Sequence, residues 1–174
     1  MAWVFVCDAE ELDAEEGGAA KAFTWSNLSA AEKTVLGDTS TVLDYLRGDT
    51  TLEKRNPGGI YRNRGKILGD LVNSSPELVE APYDLSYHRY NWTGASSYRS
   101  FIEGAAKTRT PMLYVGGNDG MLHGFNANTG VEVMGYIPKA VMAPLPSDTV
   151  SVLKKYSEPN YSHKFSVDGS PVVV

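Results

Sequence analysis

Cysteine is nearly absent: Cys7 stands alone in 174 residues, which excludes an internal disulfide and any multi-cysteine metal site. No apolar run approaches the length that spans a bilayer. Met1 to Cys7 is apolar but has no basic residues before it, is too short for a signal h-region, and leads straight into acid. Only three histidines occur, His88, His123 and His163, none at metal-ligand spacing with another His or Cys, and no H-E-x-x-H is present. A G-x-S-x-G elbow is missing, so the paper triple Ser75, His123 and Asp168 has nothing to make it a hydrolase. Gly116-Gly117-Asn118-Asp119-Gly120 matches neither phosphate-loop pattern and precedes a strand-like run, so turn chemistry accounts for it, with Asp119 expected to cap N–H groups of its own turn. His123 is expected to be a satisfied core or interface residue, and Glu77 with Glu80 a solvated strand face.

Charge is unevenly spread. The net charge is −5, yet Asp8, Glu10, Glu11, Asp13, Glu15 and Glu16 precede every Lys and Arg, so the chain from Lys21 onward is close to neutral. No basic face is concentrated enough to argue for nucleic acid. Residues 1–22, in which Gly17-Gly18-Ala19-Ala20 follows the acidic stretch, read as an acidic flexible linker; their carboxylates lack the alternating spacing of a folded calcium loop.

What is present is strand and turn. Pro111 to Pro138 reads as three strands, Met112–Val115, Met121–Phe125 and Val131–Ile137. Asp119-Gly120 and Asn126-Ala127-Asn128-Thr129-Gly130 make the turns between them. Residues 23–56 read as a helical lead-in. Ser29 and Glu32 have capping-box spacing for a helix over Ala30–Leu36, and Gly37-Asp38 stops it. A second helix runs from Thr41 to Arg47, with Gly48 at a left-handed end. Asn56-Pro57-Gly58-Gly59 is a breaker. Ile67 to Val72 reads as a short strand interrupted at Gly69, and Glu77 to Glu80 as a strand opened by Pro76. Residues 82–106 form a long insertion rich in Tyr, Ser and Arg, with a helical turn or two over Ser97–Gly104. Its Tyr87, Tyr90, Trp92 and Tyr98 are the candidate partner-contact residues, against the alternative that such rings pack the insertion onto the sheet.

Three motifs in order carry a resemblance: R-x-R-x-x-x-LGD-x-VNSSP at Arg62–Pro76, YVGGNDGMLHGFNANTG at Tyr114–Gly130, and VDGSP at Val167–Pro171. Together they resemble the C-terminal propeller of the type IV pilus tip-associated adhesins called PilY or PilC, over roughly Phe23 to Val174. The fold class expected is mainly β: a partial β-propeller over 57–174, one quinoprotein-like blade plus the start of a second at Val172–Val174, behind the short α-helical lead-in. Such a fragment is expected to leave open strand edges and to associate. The resemblance implies a non-enzymatic role in pilus assembly and surface adhesion. Its implied partners are pilin or minor pilins, a host or abiotic surface, and the remaining blades of the same chain. The implied location is the bacterial cell surface, at the pilus tip or outer membrane, with an export signal upstream. The family's acidic calcium loop has no match here, so no cofactor is expected in this segment and calcium belongs to the full-length protein. Quinoprotein dehydrogenases share the Asp119-Gly120 and Thr129-Gly130 signature and form the alternative reading. Met134 stands where their repeats place a Trp, and one blade cannot enclose a quinone pocket.

Overall fold

In the computed structural model, residues 3–7 and 21–173 are described. Among them a six-stranded sheet runs in the order β2-β1-β6-β5-β4-β3. Its centre is the expected meander: β4 (Met112–Gly117), β5 (Met121–Asn126) and β6 (Glu132–Pro138), each antiparallel to the next. Gly120 takes φ +91° in the first turn, where a Cβ would also lie 2.6 Å from Leu153 Cδ2, so both backbone and space demand glycine. β3 (Glu77–Val79) pairs with β4 and forms one edge, where the preceding Pro76 removes no ladder hydrogen bond.

The far edge departs from expectation. Residues 1–22 were expected to be linker throughout, yet β1 (Trp3–Cys7) lies parallel to β6, and β2 (Lys21–Ala22) pairs antiparallel with β1. The run Trp-Val-Phe-Val-Cys is strand-forming, and β6 offers an open ladder that it satisfies. The acidic stretch between β1 and β2 lies outside the described residues.

One face of the sheet is covered by helices. α1 (Ala30–Val35) starts from the expected capping box: the Glu32 N–H donates to Ser29 Oγ at 3.3 Å, and the Ser29 N–H donates to Glu32 Oε2 at 2.7 Å. It stops at Gly37 (φ +84°) and Asp38 (φ +52°). α2 (Ser40–Leu46) buries Val42, Leu43, Tyr45 and Leu46 and is followed by left-handed Gly48 (φ +103°). With α4 (Lys139–Met142) and α5 (Val152–Tyr156), these helices enclose a core that includes Phe23, Leu36, Met121, Ile137, Val141 and Leu153. Helices of four to seven residues do not persist alone, so docking on the sheet is what holds them. The insertion carries α3 (Ala95–Glu103), longer than the turn or two expected.

Both arginines of the R-x-R motif are structural. Arg64 and Glu53 are 5% and 0% exposed, and Arg64 Nε donates to Glu53 Oε1 at 2.8 Å. The Arg64 guanidinium also donates to the Tyr45 and Asp49 carbonyls at 2.8 and 2.7 Å and lies 3.7 Å from the centre of the Tyr45 ring. Burial pushes the Glu53 carboxyl up, but the Arg64 hydrogen bonds and charge outweigh it and hold it below its ordinary range. Arg62 lies over both Tyr156 and Tyr161, 4.3 and 4.4 Å from their ring centres.

Two strands expected from the sequence are not formed. Ile67–Val72 bends instead, with Ile67 and Val72 exposed. The Gly69 N–H donates to Asp119 Oδ2 at 2.6 Å, and the Asp70 carbonyl accepts from the Asn118 N–H at 3.1 Å. The hairpin turn thus takes the backbone groups that a ladder would use. Asp119 accordingly caps a segment fifty residues earlier and not its own turn. Val172 and Val173 are exposed and pair with no strand among the described residues.

Candidate functional site

The four candidate residues of the insertion come together. Tyr98, on α3, is the post: its hydroxyl accepts from the Leu85 N–H at 2.8 Å and donates to the Tyr83 carbonyl at 3.0 Å, folding the 83–86 loop against the helix. From it the rings run in a chain. Tyr98 to Tyr87 is 5.1 Å between centroids, Tyr87 to Trp92 is 5.6 Å, and Trp92 to Tyr90 is 4.6 Å with planes 12° apart. Tilted and offset contacts of this kind stabilise one another beyond the area they bury. Gly94, at φ +90°, turns the chain from this cluster into α3. The insertion is tied at its base, where Arg109 Nε donates to the Glu80 carbonyl at 2.6 Å.

Much of the surface of these rings stays open. Tyr90 and Trp92 are 54% and 57% exposed, Tyr87 is exposed too, Tyr98 is half-buried, and Tyr83 and Phe101 are further exposed apolar side chains of the insertion. Held by mutual stacking, rings presented to solvent lose little conformational entropy on contact with a partner, a property of aromatic-rich binding surfaces.

A second cluster lies beneath the hairpin on the helix-covered face. His123 Nδ1 lies 2.8 Å from Glu132 Oε1, and its Nε2 lies 3.1 Å from Asp119 Oδ1. Burial pushes the imidazole pKa down, but the hydrogen bonds and charges of the two carboxylates outweigh it and carry it to about 9. The histidine is therefore a buried cation bridging two carboxylates, the satisfied core residue expected. A groove of about 270 Å³ opens beside it, walled by Leu46, Ile67, Leu68 and Phe125. Asp168 is engaged with Asn73 and Asn118, and the Ser75 N–H with Ser170 Oγ, so the triple of Ser75, His123 and Asp168 is not assembled. Among the described residues, no group of three or more His, Cys, Asp or Glu is placed to hold a metal ion, and no helix is long and apolar enough to cross a membrane.

Sequence reasoning missed Asn118, which is 1% exposed and hydrogen-bonded to both Asp70 and Asp168. The signal was present in the repetition of an acidic or amide turn followed by Ser-Pro, but not in Asn118 itself.

The profile of the PilY1 beta-propeller domain matches residues 68–174. The chain belongs to the PilY1 family. The matched span starts in the bent segment beside the hairpin and takes in β3 to β6, the aromatic insertion and the second Ser-Pro motif, so the four-stranded antiparallel unit is part of a β-propeller. Two relatives bear this out. The chain is 43% identical over 148 residues to a type IV pilus biogenesis factor PilY1 homolog of Xylella fastidiosa, covering 84% of this chain and 11% of that protein. It is 40% identical over 164 residues to the type IV pilus biogenesis factor PilY1 of Pseudomonas aeruginosa strain PAK, covering 88% of this chain and 13% of that protein. The chain thus spans only about an eighth of the length of these PilY1 relatives. No solved structure matches it.

Proposed function

We propose that this PilY1-family segment belongs to a non-enzymatic type IV pilus biogenesis factor that supports pilus assembly and surface adhesion. In this reading the protein stands at the bacterial cell surface, at the pilus tip or outer membrane. It works with pilin or minor pilins on one side and a host or abiotic surface on the other, and any calcium site lies in parts of the protein beyond this segment. The observation that carries the proposal is the chain of ring contacts that joins the exposed Tyr87, Tyr90 and Trp92 to the half-buried Tyr98, on an insertion tied to a PilY1-type blade. A blade is a rigid base, and contact surface is most readily varied on its insertions. These four residues are the proposed partner contacts.

The test is genetic. Deleting the gene in its own bacterium should remove surface pili and twitching. Restoring the gene without residues 82–106 should return pili while attachment stays low. Normal piliation and twitching in the deletion strain would refute the assembly role. Full attachment by the strain lacking the insertion would refute the contact role. A quinone- and calcium-dependent alcohol oxidation by the intact protein would refute the non-enzymatic reading.

A further inference from the structure

The two Ser-Pro motifs meet. Asn73-Ser74-Ser75-Pro76 and Asp168-Gly169-Ser170-Pro171 occupy equivalent places in the repeat, and the structure lays them side by side. The Ser75 N–H donates to Ser170 Oγ at 2.8 Å, the Asn73 N–H to Asp168 Oδ1 at 3.2 Å, and the Asn73 amide to the other Asp168 oxygen. Asn118, at the turn between β4 and β5, joins both copies. Its Nδ2 donates to Asp70 Oδ2 at 3.0 Å and to Asp168 Oδ1 at 3.1 Å, and its Oδ1 accepts from the Ser166 N–H at 3.1 Å. Both amide hydrogens and the amide oxygen are thereby used, a set that neither Asp nor Ala reproduces.

The side of the sheet on which this happens is fixed. Gly116 is opposite Leu122, Tyr114 opposite Gly124, and Gly124 opposite Met134, so these positions share one face. A Cβ on Gly124 would touch Tyr114 and Met134, and a Cβ on Gly116 would lie 2.4 Å from the Val167 carbonyl oxygen and 3.2 Å from that of Gly169. The second motif therefore crosses the face opposite the helices, over Gly116. The first motif leads directly into β3, whereas the second leads into Val172 and Val173, which are exposed. Beyond Gly116 the same face presents the half-buried Met112, Tyr114, Leu122 and Met134.

We infer that Asn118 is the latch between this blade and the next: it holds the second Ser-Pro motif in place, and so positions the repeat that opens at Val172 for the stacking that a propeller requires, against the face of Met112, Tyr114, Leu122 and Met134. The placement of the second motif on this face selects that occupant over a second copy of the chain. The relatives, of which this chain spans 11–13%, have ample length for further repeats. The inference rests on the propeller fold and not on the adhesion reading.

The test uses the full natural protein and its Asn118→Ala variant. Hydrogen exchange should quicken by about tenfold or more, because three side-chain hydrogen bonds are lost, two of them to carboxylates, both in the β4–β5 hairpin and in the repeat that follows Pro171. Acceleration confined to the hairpin would overturn the latch. Hydroxyl-radical labelling supplies the second arm. Met112 and Met134 should be protected in the wild-type protein and oxidised several-fold faster in Asn118→Ala. Oxidation in the wild type at the rate of a free methionine would overturn the docking face, as would a reading frame that stops at Val174.

Discussion

Replacing Arg64 with alanine strikes the most heavily committed charge in the structure. The side chain neutralises Glu53, which has no solvent exposure, and satisfies the Tyr45 and Asp49 carbonyls at the end of α2. In Arg64→Ala, Glu53 keeps only Arg55, whose side chain is half exposed and screened. Removing one partner of a buried pair costs about 3–5 kcal/mol, and the two carbonyls lose their donors as well. That loss is a large fraction of the ~5–15 kcal/mol that holds a domain folded, and corresponds to a fall in Tm of roughly 6–20 °C. A double variant, Glu53→Met with Arg64→Met, should recover the part of the loss due to the unpaired buried charge, while the part due to the Tyr45 and Asp49 carbonyls remains. Urea unfolding followed by circular dichroism on wild type, single and double variants measures all three. A cost below about 1 kcal/mol for Arg64→Ala, or a double variant no better than the single, would refute the reasoning. The pH arm has a definite sign. The Glu53 pKa is depressed on folding, so its contribution is present above the ordinary value of 4.5 and is lost as pH falls through the lower folded value. Glu53→Gln should flatten stability across that acid window.

The remaining predictions concern other parts of the fold. His123 is raised on folding from 6.5 to about 9, so its contribution is complete below pH 6.5 and disappears as pH rises through 9. Stability should fall by roughly 3 kcal/mol between those limits, read by urea unfolding, and a flat profile would contradict the bridged cation. Gly120→Ala forces a left-handed alanine against Leu153 and should cost about 2 kcal/mol or more in the same assay, with an unchanged midpoint counting against the turn geometry. Ser29→Ala removes half of the capping box and should cost about 1 kcal/mol, whereas a loss near zero would mean that α1 is held by packing alone.

The parts of the fold legible in the sequence were those governed by local chemistry. Asp119-Gly120 and Asn126 to Gly130 announced their turns because positive φ restricts residue choice, and the alternation of Met121, His123 and Phe125 announced a half-buried strand. Ser29 and Glu32 fixed the start of α1 for the same reason. What stayed hidden depends on partners distant in sequence. β1 is a strand because β6, more than a hundred residues later, has an open edge, and the acidity after Cys7 pointed instead to linker. Ile67–Val72 has strand composition, but the turn residues Asn118 and Asp119 capture its backbone. The aromatic residues of the insertion were named from composition. Their arrangement into one stacked chain depends on the Tyr98 hydroxyl reaching the 83–86 loop, which no local pattern encodes.

The central claim is that a PilY1-family blade presents the exposed aromatic cluster as its contact surface. The most direct measurement is attachment of intact bacteria carrying Tyr90→Ser with Trp92→Ser in the full-length protein, with surface pili counted on the same cells. Because both rings are more than half exposed, protein level and pilus number should match wild type while attachment falls several-fold. Wild-type attachment by fully piliated double-variant cells would contradict the account.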